Sequence, residues 1–374
     1  MSETTLEKPK TGFKPATYTP TEGKLGIVCC DIHPGFTTKD ELGKFMPLRW
    51  REHVKDYGIR TSNPFVGALP YPRMGHGMRQ DSYPPEGGAP ASSLSFMQEQ
   101  LLDPLNIEFG LLHALNAGPA AVNLELGAAV CTAVNDWQID KWLSKDTRLK
   151  GGIAVAQDDA ISSVAEIERM ANDERFVQIA MVPRSIESMG RMRYWPIYEA
   201  AEALGLPIGV HTAGYGTHAN GSGGWGSFYM EEHCGFANPA QTVIVSMIFE
   251  GVFERFPKLK LIVVEGGFGW LAPLMWRMDR EWERMKDEVP HVKKKPSEYV
   301  KNNIWLTTQP VEEPPNVRHM TPLLEWIGHD KLLFSTDYPH WDFDHPDRAF
   351  RVPIAPELKQ GILRNNAISV YGLT

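Results

Sequence analysis

Residues 25–33 read Leu-Gly-Ile-Val-Cys-Cys-Asp-Ile-His. An apolar run closes on a carboxylate and an imidazole two positions apart. Runs this apolar suit a parallel strand buried on both faces. Strand alternation sets residues 31 and 33 on one side. Seven more such runs follow: 107–115 (IEFGLLHAL), 150–155 (KGGIAV), 176–182 (FVQIAMV), 207–211 (PIGVH), 260–265 (KLIVVE), 303–308 (NIWLTT) and 331–337 (KLLFSTD). Between them lie stretches with helical spacing, at 120–143, 160–171, 195–204, 270–285 and 357–371. Gly205 and Pro207 supply a stop for the third. Eight strands alternating with helices predict an α/β protein, a (β/α)8 TIM barrel.

A minimal barrel needs roughly 250 residues, and the chain has 374, with 33 glycines and 29 prolines. The excess has three places. Residues 1–23 lack periodicity and read as an extended arm. Residues 34–93 and 212–236 are insertions after strands one and five, on the side where barrel enzymes keep their sites. Residues 24–374 are expected to form one barrel domain, with lids or substrate walls in the insertions.

Composition narrows the partners. The formal charge of −8 leaves no basic excess for a nucleic-acid backbone. No run approaches 18 apolar residues, and the N-terminus has no apolar signal region, so no membrane association is expected. Four scattered cysteines suit a reducing, cytoplasmic compartment. Gly221-x-Gly223-x-x-Gly226 matches a dinucleotide fingerprint by letter but sits in a loop-like stretch, and P-loop, HExxH and GxSxG motifs are absent.

Asp31, His33, His211 and Asp337 all fall at predicted strand ends. Each alone has an ordinary structural explanation. Together they converge on one axis, and two carboxylates with two imidazoles suit Zn, Mn or Fe(II).

Through Asp31-x-His33, His211 after PIGV, and Ser335-Thr336-Asp337-Tyr338-Pro339-His340, the chain resembles the amidohydrolase superfamily. The resemblance covers about residues 24–373. It points to the amidohydrolase-related branch containing aminocarboxymuconate-semialdehyde and resorcylate decarboxylases. It implies one catalytic metal per chain, most simply zinc, held by Asp31, His33, His211 and Asp337. It also implies an activated water, with Asp337 shuttling the proton. In one respect the chain departs from the pattern. Many relatives end strand six with an acid–base histidine, whereas this chain has Glu265, as a ligand, an acid or base, or a structural group. The glycines after Glu265 suggest room for a ligand at an anion-favouring helix N-terminus.

Beside Asp337 and Glu265, His233 is a candidate acid. Arg184, His340, Trp341, Tyr215 and Trp225 are candidate substrate contacts, with Arg184 suited to a carboxylate. His113 ends strand two in a pocket or core role. The missing strand-six histidine favours a hydrolase that uses metal-activated water on an amide, ester or lactone. The alternatives are a non-oxidative decarboxylase of an aromatic or enoic acid, and a non-catalytic ligand-binding barrel. A small-molecule substrate and a homo-oligomer are the expected partners.

Overall fold

The structure, a computed structural model, describes residues 21–374 except 22, 39, 62–76, 184, 213–217, 222 and 352–353. Most of the expected arm, part of each insertion, Arg184 and Tyr215 therefore lie outside the described residues.

Eight strands form one sheet in chain order: β1 Ile27–Ile32, β2 Ile107–Leu112, β3 Leu149–Ala154, β4 Phe176–Met181, β5 Ile208–His211, β6 Leu261–Val264, β7 Ile304–Thr307 and β8 Leu332–Leu333. Every neighbouring pair is parallel. The ring closes where Cys30 N donates to Phe334 O and His33 N to Tyr338 O, each at 2.8 Å. This is the TIM barrel, with each strand inside or beside a run named above. β8 is the shortest, because beyond Leu333 the chain leaves the regular ladder and turns toward β1.

Helices cover the outside. Leu124–Gln138 is capped by Asn123, whose side chain accepts from Leu126 N at 3.0 Å, and Ala160–Met170 by Asp159. Such caps contribute about 1 kcal/mol each. Trp195–Leu204 ends on Gly205 at φ 69, a left-handed stop that glycine adopts without penalty. In the first insertion, Leu48–Tyr57 buries Trp50 among Leu126, Val130 and Val134. The helices Ala237–Phe249, Leu271–Met285, Pro296–Asn303 and Met320–Ile327 belong to the same outer layer.

Alternation divides each strand. On β6, Leu261 and Val263 face the helices, while Ile262 and Val264 join Val28, Cys30, Leu111, Val177 and Leu333 along the barrel axis. The helix Asn366–Tyr371 closes the end at which the strands begin. There Lys260, just before β6, donates to Val370 O at 2.7 Å.

Candidate metal centre

β1 contains a bulge. Cys29 pairs with Gly110 and Ile32 with Leu112, so three steps on β1 match two on β2. An extra residue resets which face the following side chains take. Val28 and Cys30 line the axis, yet Asp31 and His33, of opposite parity, also reach the mouth. β6 and β8 reach the mouth differently. Glu265 (φ 57) and Asp337 (φ 60) are left-handed non-glycine residues, a conformation that costs roughly 1–3 kcal/mol and collects at functional sites. Thr307 Oγ1 accepts from Glu265 N at 3.0 Å, and Thr212 Oγ1 donates to Glu265 O. These bonds hold the turn.

The donors gather in two overlapping groups, Asp31, His33, His211 and Glu265, and His33, Glu265, Asp337 and His340. Within each group the ligating atoms lie within 4.8 Å of one another. His33 Nε2 stands 2.9 Å from Asp337 Oδ1 and 3.2 Å from Asp31 Oδ1. His211 Nε2 is 2.9 Å from Glu265 Oε2 and 3.5 Å from Asp31 Oδ2. His340 Nδ1 lies 2.6 Å from Asp337 Oδ1. All are buried except His340, which is mostly so.

Burial pushes the Asp31 carboxyl up, but the imidazoles of His33 and His211 outweigh it and hold it well below its ordinary value. His211 moves the other way. Burial disfavours its charge, yet Asp31 and Glu265 raise it to about 10. Burial, then Asp337, pushes Glu265 up. Carboxylates that draw protons onto imidazoles draw equally on a divalent cation. Both oxygens of Asp31 and Oε2 of Glu265 are buried without a properly directed hydrogen bond, although imidazole nitrogens are close. A buried carboxylate left so is costly. These lone pairs fit a shared cation, and the mixed carboxylate–imidazole set suits a borderline divalent ion.

Around the cluster, the structure adds partners. His33 Nδ1 meets His113 O at 3.1 Å, fixing the ring. His113 Nε2 meets Gln178 Nε2 at 2.9 Å, and burial lowers the His113 imidazole to about 3. It is a neutral acceptor in the barrel. Gln309 Nε2 donates to Asp337 Oδ2 at 3.1 Å and to Asp342 Oδ2 at 2.7 Å. His233 stands outside both donor groups, on the helix Tyr229–Cys234, with its Nε2 3.0 Å from Asp342 Oδ2. Trp341 is half-exposed and donates to Tyr229 Oη at 2.9 Å. Trp225 is partly buried in the β5 loop. Cys29 packs on Thr336 and burial raises its thiol to about 11, a structural setting.

One expectation is corrected. The helix N-terminus after Glu265 does not stand open for a ligand. Glu312 Oε2 accepts from Phe268 N at 3.0 Å and Gly269 N at 2.8 Å. Gly267, at φ 65, leaves room for that carboxylate, since a Cβ there would lie 2.3 Å from Glu312 Oε1. Gln309, Asp342 and Glu312 were not among the expected site residues. A signal existed only for Gln309, a polar residue just past the strand-seven run.

Among the described residues, no helix is long and apolar enough to cross a membrane. A family model described as amidohydrolase matches residues 30–373. A gamma-resorcylate decarboxylase of Polaromonas sp. is 28% identical over 268 residues, covering 66% of this chain and 77% of that protein. A dihydroxybenzoic acid decarboxylase structure from Polaromonas sp., with manganese and 2-nitroresorcinol, superposes with TM-score 0.63 at 20% identity, over 94% of this chain and 98% of that one. A 5-carboxyvanillate decarboxylase from Novosphingobium aromaticivorans, with manganese and 4-hydroxy-3-methoxy-5-nitrobenzoic acid, gives 0.69 at 17%, over 94% and 97%.

Proposed function

The chain belongs to the amidohydrolase family, and from that premise we propose that it is a metal-dependent, non-oxidative decarboxylase of an aromatic acid. The observation that carries the reading is the buried donor cluster at the strand ends, with carboxylate oxygens that lack directed hydrogen bonds. The decarboxylase relatives support this chemistry over the hydrolysis that the missing strand-six histidine favours.

Asp31, His33, His211 and Asp337 are the proposed ligands, with Glu265 beside them. A divalent ion there would anchor the acid's oxygens and offset their charge. Asp337 is the proposed carrier of the proton. Its Oδ1 lies 2.9 Å from His33 Nε2 and 2.6 Å from His340 Nδ1, and Gln309 donates to its Oδ2. A proton delivered to the ring carbon bearing the carboxylate lets the C–C bond break. Its electron pair returns to the ring and CO2 leaves. Glu265, across His211, is the second proposed acid. His340 and Trp341 at the mouth are proposed substrate contacts, as are Trp225 and, outside the described residues, Tyr215 and Arg184. The two insertions are proposed walls of one barrel domain.

Metal analysis and CO2 release from 2,6-dihydroxybenzoate and 5-carboxyvanillate test the reading. We expect about one Zn or Mn per chain, and CO2 released with one solvent-derived hydrogen added at the ring carbon that bore the carboxylate. Turnover of amides or lactones without CO2 release overturns it in favour of hydrolysis.

A further inference from the structure

Two insertions meet on one short loop, the five residues after Asp337. From the first insertion, Arg79 N donates to Pro339 O at 2.9 Å, and Trp341 N donates to Gly77 O at 2.7 Å. From the second, the helix Tyr229–Cys234 places Tyr229 on Trp341 and His233 on Asp342. The His233 ring also packs against Trp341, with centroids 5.5 Å apart.

Asp342 is the junction. Its Oδ2 accepts from His233 Nε2 at 3.0 Å and from Gln309 Nε2 at 2.7 Å. The same Gln309 nitrogen donates to Asp337 Oδ2 at 3.1 Å. Two carboxylates around one amide atom require that atom to be the NH2 group, so the amide's orientation is set by chemistry. Gln309 is fully buried, and its backbone N donates to Ser335 Oγ at 3.1 Å. It cannot swing away without leaving Asp337 and Asp342 facing each other unscreened.

We propose that the chain His233–Asp342–Gln309–Asp337 is a latch that couples seating of the helix Tyr229–Cys234 to the orientation of the Asp337 carboxylate. His233, Asp342 and Gln309 are then positioning residues. His233 acts through Asp342 rather than on the substrate. The lid loses rigidity when Gln309 is cut, although Gln309 makes no contact with the lid helix among the described bonds. The consequence for turnover rests on the decarboxylase reading, while the coupling itself does not.

Hydrogen exchange of the amides of 229–234 separates the two. In Gln309→Met, which keeps the volume and removes the donors, exchange there is expected to quicken at least about fivefold, since weakly held segments open locally. Asp342→Asn, the gentler variant should Gln309→Met fail to fold, is expected to do the same. Unchanged exchange in Gln309→Met, or in Asp342→Asn if the first does not fold, overturns the latch. With 2,6-dihydroxybenzoate, His233→Ala is expected to lower kcat about tenfold with KM within about threefold, as for an effect on the transition state alone. His233→Gln should recover part of it. A change in KM alone places His233 on the substrate and overturns its positioning role. If the parent releases no CO2, the decarboxylase reading falls, and exchange still decides the latch.

Discussion

The two ends of the barrel use the same strands for opposite purposes. At the end where the strands begin, Val28, Leu111, Ile262 and Leu333 pack with Val370 and Tyr371 in an apolar plug. At the mouth, a residue or a few further on, Asp31, His211, Glu265 and Asp337 form a buried, charged cluster. The first end is held by packing. The second is reached by breaking alternation, through a bulge in β1 and left-handed residues after β6 and β8. Stability and chemistry are thus separated along β1, β6 and β8 by a local irregularity, while His211 reaches the mouth by the ordinary alternation of β5.

The contrast is broken most sharply at the mouth. His211→Ala is expected to cut bound metal below about a tenth per chain and CO2 release by more than about a thousandfold. Its far-ultraviolet circular dichroism should remain that of the parent. Full metal content would remove His211 from the centre. At the plug, Leu111→Ala should cost about 3 kcal/mol by denaturant unfolding, because a fully buried leucine leaves a cavity. The folded fraction should still carry its metal, and loss of metal at unchanged stability would contradict the separation. The smallest effect sharpens it. Glu265→Gly relieves a left-handed backbone and removes a buried carboxyl. It should raise the stability of the metal-free protein by up to about 1 kcal/mol while lowering turnover. A melting temperature well below the parent's would show that the turn stores no strain.

Most of the barrel was legible because buried parallel strands leave continuous apolar runs. Ala237–Phe249 gives no clear helix signal because its Thr-Val-Ile-Val core has strand-like, β-branched composition, which packing against the barrel overrides. Pro296 at the start of Pro296–Asn303 was an available helix signal. At the site, residues that end strands could be read individually. Gln309, Asp342 and Glu312 could not, because their roles lie in bonds spanning 28 to 44 residues of chain. The spacing of Asp31 and His33 puts them on one side, but only the bulge explains why Cys30 shares it.

That bulge also sets how the chain can vary in length. Surface loops absorb added or lost residues at small entropic cost. β1 cannot. Deleting Cys30 would remove this bulge and set Asp31 where Cys30 faces the axis, short of the mouth, and deleting Asp31 would remove the carboxylate itself. In a library of single-residue deletions, the insertions should tolerate gaps while these few positions of β1 tolerate none. The length of this strand, as much as its letters, is part of the metal centre.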